Sequence, residues 1–231
     1  MYRKILILGP CRSGTTFVLN ALSNDQYDGY FQICKNDVRK RLVEDAQDSD
    51  LLSVMGNSPL FVAKEALGPY FIEEVNIDPV AKILVPDDYE DALIIFCLRE
   101  PDSCLLSWEK SFGNKKAINH QVFNQAYSQL KQLYENYNDK IRTAVLILDD
   151  KELFQERIGQ VIRGMFPFEK KDEYSTYYKY RDPDCFEIKG LLDKAMSSKV
   201  YSEEKTKIYG EVDFSAIQSS ISIYQFFLGV K

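Results

Sequence analysis

Along this chain, apolar runs alternate with stretches whose apolar residues recur every three or four positions, a pattern that predicts strands followed by helices. The first run, Ile5 to Leu8, enters a turn bounded by Gly9 and Gly14, and Phe17, Val18 and Leu22 then fall at helical spacing. Tyr27 to Cys34 predicts a second strand, and the charge-dense Lys35 to Asp48 predicts an exposed helix that buries Val38, Leu42 and Val43. Ser49 to Ser58 carries the turn signals Gly56 and Asn57 and predicts a loop. Leu60 to Ala63 predicts a short buried strand with Lys64 and Glu65 at its carboxyl end. Ala92 to Leu98 is uniformly apolar, as expected of a central strand covered on both faces. It ends in Arg99 and leads into a helix with Pro101 at its first position.

Lys115 to Tyr137 predicts a long amphipathic helix whose stripe of Val122, Phe123, Ala126, Tyr127, Leu130, Leu133, Tyr134 and Tyr137 faces the core. Thr143 to Leu148 predicts another buried strand, closed by Asp149 and Asp150. Glu169 to Pro183 is rich in tyrosine and charge without a period and reads as a loop or lid. Helical patterns resume at Ile188 to Met196, Glu203 to Tyr209 and Phe214 to Leu228. This alternation predicts an α/β fold with a parallel sheet and helices on both sides. No internal repeat or low-complexity linker interrupts it, so residues 1–231 are expected to form one domain.

Charge narrows the partners. A net charge of −6 and a pI near 5.0 argue against a surface that neutralises a nucleic-acid backbone, so any anion site must be a local basic pocket. No apolar run approaches the roughly 20 residues that span a bilayer. The apolar start is too short for a signal peptide, and a cytoplasmic location is expected. The five cysteines are scattered, which predicts reduced thiols and neither a disulfide framework nor a zinc site. The basic cluster Arg39, Lys40, Arg41 is followed by Glu44, Asp45 and Asp48 and reads as a solvated helix face.

The candidate chemistry begins in the strand–loop–helix of Ile5 to Leu22. Loop amides and the first-turn donors of a helix converge there on one spot, which the helix dipole makes partly positive. Arg12 adds a planar charged fork, and Thr15 and Thr16 add hydroxyls, so a phosphate or sulfate ester is the expected guest. The common triphosphatase loop reads G-x-x-x-x-G-K-[ST]; here the lysine slot holds Thr15 and the cation lies inside the loop as Arg12. Cys11, in the same loop, is either a small filler or a thiol acidified by its positive surroundings. Arg99 at a strand tip and Ser107, eight positions later on the next helix, can face one oxyanion. Lys64 and Glu65 are candidates for chemistry or for a surface ion pair. Asp149 and Asp150 suit either a magnesium ion, as in a kinase or triphosphatase using Mg-ATP, or the cap of the next helix.

The segment R-S-G-T-T from Arg12 to Thr16 resembles the 5′-phosphosulfate loop of sulfotransferases that use 3′-phosphoadenosine 5′-phosphosulfate (PAPS), and Arg99 with Ser107 resembles their 3′-phosphate motif. The resemblance runs from Lys4 to about Phe166 and is specific at these two motifs. It implies a three-layer α/β/α, P-loop nucleotide-binding architecture that moves a sulfuryl group from PAPS to a hydroxyl or amine and releases adenosine 3′,5′-bisphosphate, with no metal required. By the same resemblance, Arg12, Ser13, Gly14, Thr15 and Thr16 hold the 5′-phosphosulfate, and Arg99 and Ser107 hold the 3′-phosphate. Phe17 stands where many cytosolic members have tryptophan, to stack on adenine or to pack in the core. Arg12 would stabilise the departing phosphate oxygen, Glu65 would serve as base and Lys64 as charge stabiliser, since the sole histidine, His120, is out of place. The acceptor is expected to be a small molecule or carbohydrate, selected by Ser49 to Ser58 and Glu169 to Pro183. A non-catalytic nucleotide-binding descendant of the same fold is the remaining reading.

Overall fold

Five strands run in the order β2-β3-β1-β4-β5, all parallel, in the computed structural model, which describes residues 1–22, 26–44, 51, 55, 58–113, 119–149, 151–165 and 214–230. They are β1 (Lys4–Pro10), β2 (Asp28–Phe31), β3 (Phe61–Leu67), β4 (Ala92–Leu98) and β5 (Arg142–Ile147). Between and after them lie α1 (Thr15–Leu22), α2 (Ile33–Glu44), α3 (Pro79–Ile83), α4 (Pro101–Trp108), α5 (His120–Tyr137), α6 (Lys151–Gly164) and α7 (Gln218–Leu228). Every residue of β3 and β4 is buried, and β1 is buried from Ile5 onward, because both sheet faces carry helices.

Strand alternation divides the core in two. Ile5 and Ile7 of β1 with Leu93 and Ile95 of β4 pack on Val18, Leu19 and Leu22 of α1 and on Ile158 and Val161 of α6. Leu6, Leu8, Ile94 and Phe96 face the opposite way, onto α2, α3, α4, α5 and α7. Right-handed crossovers explain the split. The chain leaves β1 for β2 in one direction and then steps through β3 and β4 to β5 in the other, so α1 lies on one face and α2 to α5 on the other. Chain direction therefore diverges between the neighbours β1 and β4. Beyond the carboxyl ends of such a pair a crevice opens, which is where ligands bind in sheets of this kind.

Several expectations are met with shifted bounds. The core stripe of α5 is buried as predicted, from Val122 and Phe123 to Leu133, and Asn119 caps the helix by accepting from the Gln121 and Val122 amides. Others are corrected. The second strand stops at Phe31, and α2 begins at Ile33, earlier than predicted. Leu42 is 45% exposed, whereas Arg39 is 5% exposed and bonded to the buried Glu74 at 2.6 Å. Leu51 and Met55 are helical and buried where a loop was expected. β3 does not end at Ala63 but continues to Leu67. The segment Glu169 to Pro183, the helices at Ile188 to Met196 and Glu203 to Tyr209, Asp150 and Cys185 lie outside the described residues. Among the described residues, Cys11, Cys34, Cys97 and Cys104 are free and buried, and no helix is long and apolar enough to cross a membrane.

Candidate functional site

The loop after β1 is built by two left-handed residues. Arg12 has φ +71° and Gly14 φ +92°, and between them the Ser13 amide donates to the Pro10 carbonyl at 3.1 Å. For arginine that conformation is uncommon and costs about 1 to 2 kcal/mol, which the surroundings must offset. They do so through α4. Trp108 Nε1 and Cys104 Sγ both donate to the Cys11 carbonyl, and the Cys11 amide donates to the Leu67 carbonyl at 2.9 Å. Gly9 must lack a side chain, because a Cβ there would lie 2.4 Å from the Cys97 carbonyl and 2.4 Å from Ser13 Oγ.

This fold of the loop leaves donors without a backbone acceptor among the described residues. Among the described residues, the amides of Gly14, Thr15 and Thr16 donate to no backbone carbonyl, as expected for the first turn of α1. Ser13 is 1% exposed and its Oγ has no hydrogen-bond partner among the described residues. Thr15 is buried, Thr16 is half-buried, and Phe17 is half-buried against the α1 side of the core. The placement of Phe17 is that of a packing residue.

The two sequence motifs meet beyond the carboxyl ends of β1 and β4. Arg12 Nε donates to Ser107 Oγ at 2.9 Å, across 95 positions of sequence. Burial, followed by the proximity of Arg99, pulls the Arg12 guanidinium below its ordinary pKa, while Cys11 and Cys104 work in the opposite direction. Arg99 is fixed at the tip of β4 by Tyr127, whose hydroxyl donates to the Arg99 carbonyl at 2.9 Å. The Nε of Arg99 has no hydrogen-bond partner among the described residues and stands 3.6 Å from Asp149 Oδ1. The structure thus brings two guanidiniums, Ser107 and the α1 amides together. Orphaned donors, a buried free hydroxyl and two fixed positive charges suit an oxyanion.

Lys64 and Glu65 are placed elsewhere. Because β3 runs on to Leu67, both sit inside the strand, 2% and 0% exposed, and alternation sends them to opposite faces. The two carboxylate oxygens of Glu65 accept from the Cys34 and Lys35 amides at 2.9 and 3.3 Å, capping the amino end of α2. Desolvation raises its pKa from 4.5 to about 7, against the two amide bonds, Lys64 and Lys35, which lower it. Lys64 Nζ donates to Gln32 Oε1 at 2.9 Å and lies 3.7 Å over the Phe31 ring. The expectation of a lysine and a glutamate at an open strand tip is therefore not met.

Sequence reasoning missed the group beneath the loop. Lys35, 1% exposed, donates to the Ala66 carbonyl at 2.9 Å, to Gln32 Oε1 at 3.4 Å and to Cys11 Sγ at 3.6 Å. Its polar neighbours had marked it as a surface residue, and the partners that bury it lie up to 31 positions away. Asp149 stands beside the tip of β4. One oxygen faces Arg99 and the other accepts from the Glu100 amide at the amino end of α4. Among the described residues, no group of three or more histidine, cysteine, aspartate or glutamate side chains is placed to hold a metal ion. The sequence matches no protein-family model and no curated protein.

Proposed function

We propose that the crevice between β1 and β4 binds PAPS and that this chain is a cytoplasmic sulfotransferase acting on a hydroxyl or amine of a small-molecule or carbohydrate acceptor. The observation that carries this reading is the Arg12–Ser107 hydrogen bond at 2.9 Å, which joins the phosphosulfate-like loop to the 3′-phosphate-like motif beside Arg99. The fit to the donor rests on the chemistry of the residues. The unpartnered Ser13 hydroxyl, the open amides of Gly14, Thr15 and Thr16 and the guanidinium of Arg12 match one oxyanion, and Arg99 with Ser107 matches a second.

PAPS supplies an activated sulfuryl group: its sulfur–oxygen bond to the 5′-phosphate breaks as a bond from sulfur to the acceptor forms. Arg12 and the α1 amides are the groups of this chain that would meet the negative charge left on the phosphate. They are fixed beforehand by Trp108, Cys104 and Ser107, so little reorganisation is needed as charge develops. Glu65, fully buried on two α2 amides, is left to the scaffold and out of the proton transfer.

The test is calorimetric titration of adenosine 3′,5′-bisphosphate, 5′-AMP and ATP into wild type and Arg99→Ala. Hydrogen bonds to charged groups are worth about 1.5 to 3 kcal/mol, so a 3′-phosphate site predicts at least tenfold preference for the bisphosphate over 5′-AMP, lost in Arg99→Ala. Preference for ATP, or none among the three, overturns the reading.

A further inference from the structure

Resting on the reading just given, we infer that Asp149 is a resident anion of the Arg99 subsite, which an incoming 3′-phosphate must displace, and that it sets the selectivity of that subsite. Asp149 follows β5 after one residue, Leu148. The Leu148 amide donates to the Leu98 carbonyl at 2.9 Å, extending the β4–β5 pairing one step past β5 and bringing Asp149 level with the tip of β4. There its two oxygens do what two oxygens of a phosphate do. One lies 3.6 Å from the guanidinium of Arg99, and the other accepts from the Glu100 amide at the mouth of α4. Both side chains are about 30% exposed, so the pair is within reach of a ligand.

A carboxylate and a phosphate brought to the same guanidinium repel each other. Binding a 3′-phosphate therefore turns Asp149 out of its contacts, whereas a nucleotide lacking that group leaves them intact. The cost falls on the 3′-phosphate alone. Among the described residues, Arg12 is hydrogen-bonded to Ser107 and to no carboxylate.

The experiment is calorimetric titration of adenosine 3′,5′-bisphosphate and of 5′-AMP into wild type, Asp149→Asn and Asp149→Ala. Displacement predicts that both variants bind the bisphosphate more tightly, by up to about fivefold, the range of an exposed ion pair, with 5′-AMP unchanged. A carboxylate that merely positions Arg99 or the α4 mouth predicts the opposite sign, with the alanine variant weaker than the asparagine one. That outcome overturns the inference while a wild-type preference for the bisphosphate leaves the PAPS reading standing. If wild type shows no such preference, the reading itself falls and the inference with it. A measurement on wild type needs no variant to fold: the Glu100 amide resonance should shift on adding the bisphosphate and stay in place with 5′-AMP. An unmoved Glu100 resonance at saturating bisphosphate would equally overturn the displacement.

Discussion

Replacing Glu65 by glutamine should flatten one component of the pH dependence of stability, and the size of that component follows from its position. Glu65 is 0% exposed, and its pKa rises from 4.5 to about 7 on folding, driven by desolvation against two amide hydrogen bonds and two lysines. Between those values the native state binds a proton that the unfolded chain has released. Stability from this group is therefore complete below pH 4.5 and is lost as pH rises through about 7. At 1.36 kcal/mol per unit, the shift from 4.5 to about 7 corresponds to roughly 3 kcal/mol. Urea denaturation followed by far-ultraviolet circular dichroism, on wild type and Glu65→Gln at pH 4.5, 5.5, 6.5 and about 8, isolates it, because other titrating groups largely cancel in the difference. Any fixed cost of fitting the glutamine amide against the Lys35 amide offsets the curves without tilting them. With a slope of about 2 kcal/mol per molar urea, the difference between the two midpoints should change by about 1.5 M over the range, wild type losing ground as pH rises. A difference that stays flat, or that grows in favour of wild type with pH, would show that the α2 amides and the lysines match or outweigh desolvation, and would refute the reasoning.

Two other changes probe the frame of the site. Ser107→Ala removes the acceptor of Arg12 Nε and should weaken adenosine 3′,5′-bisphosphate binding roughly tenfold by calorimetry; unchanged affinity would place the pair outside the binding site. Arg39→Ala leaves the fully buried Glu74 without its 2.6 Å partner and should cost about 3 to 5 kcal/mol in urea denaturation, whereas Arg39→Met with Glu74→Leu should recover most of that loss. Equal losses in the single and double variants would mean that packing, not an uncompensated charge, is what Arg39 supplies.

The strands β1, β4 and β5 were legible because they are apolar runs, and α5 because it carries a clear period; Ala92 to Leu98 is β4 residue for residue, and α7 with the short turn before it spans Phe214 to Leu228 as predicted. What failed was polar residues inside buried elements. Lys64 and Glu65 look like the end of a strand because nothing local tells that α2 amides and Gln32 satisfy them within it. Arg39 looks like surface because Glu74, which neutralises it, is 35 positions away. At the site, each motif was legible by itself, but that they share the Arg12–Ser107 bond depends on the β1–β4 adjacency, a property of sheet order. The role of Asp149 was hidden for the same reason, since only the β4–β5 register sets it beside Arg99.

Trp108 is the only tryptophan in the chain, it is fully buried, and its indole N–H is bonded to the carbonyl that precedes Arg12. The chain thus carries an intrinsic optical probe bonded into the loop that follows β1. A negative ligand arriving on the α1 amides changes the electric field along that indole, so the wavelength of its fluorescence should move with occupancy. Under the proposed reading, entry and release of a nucleotide would then be timed in a stopped-flow instrument on the unlabelled, unmutated protein.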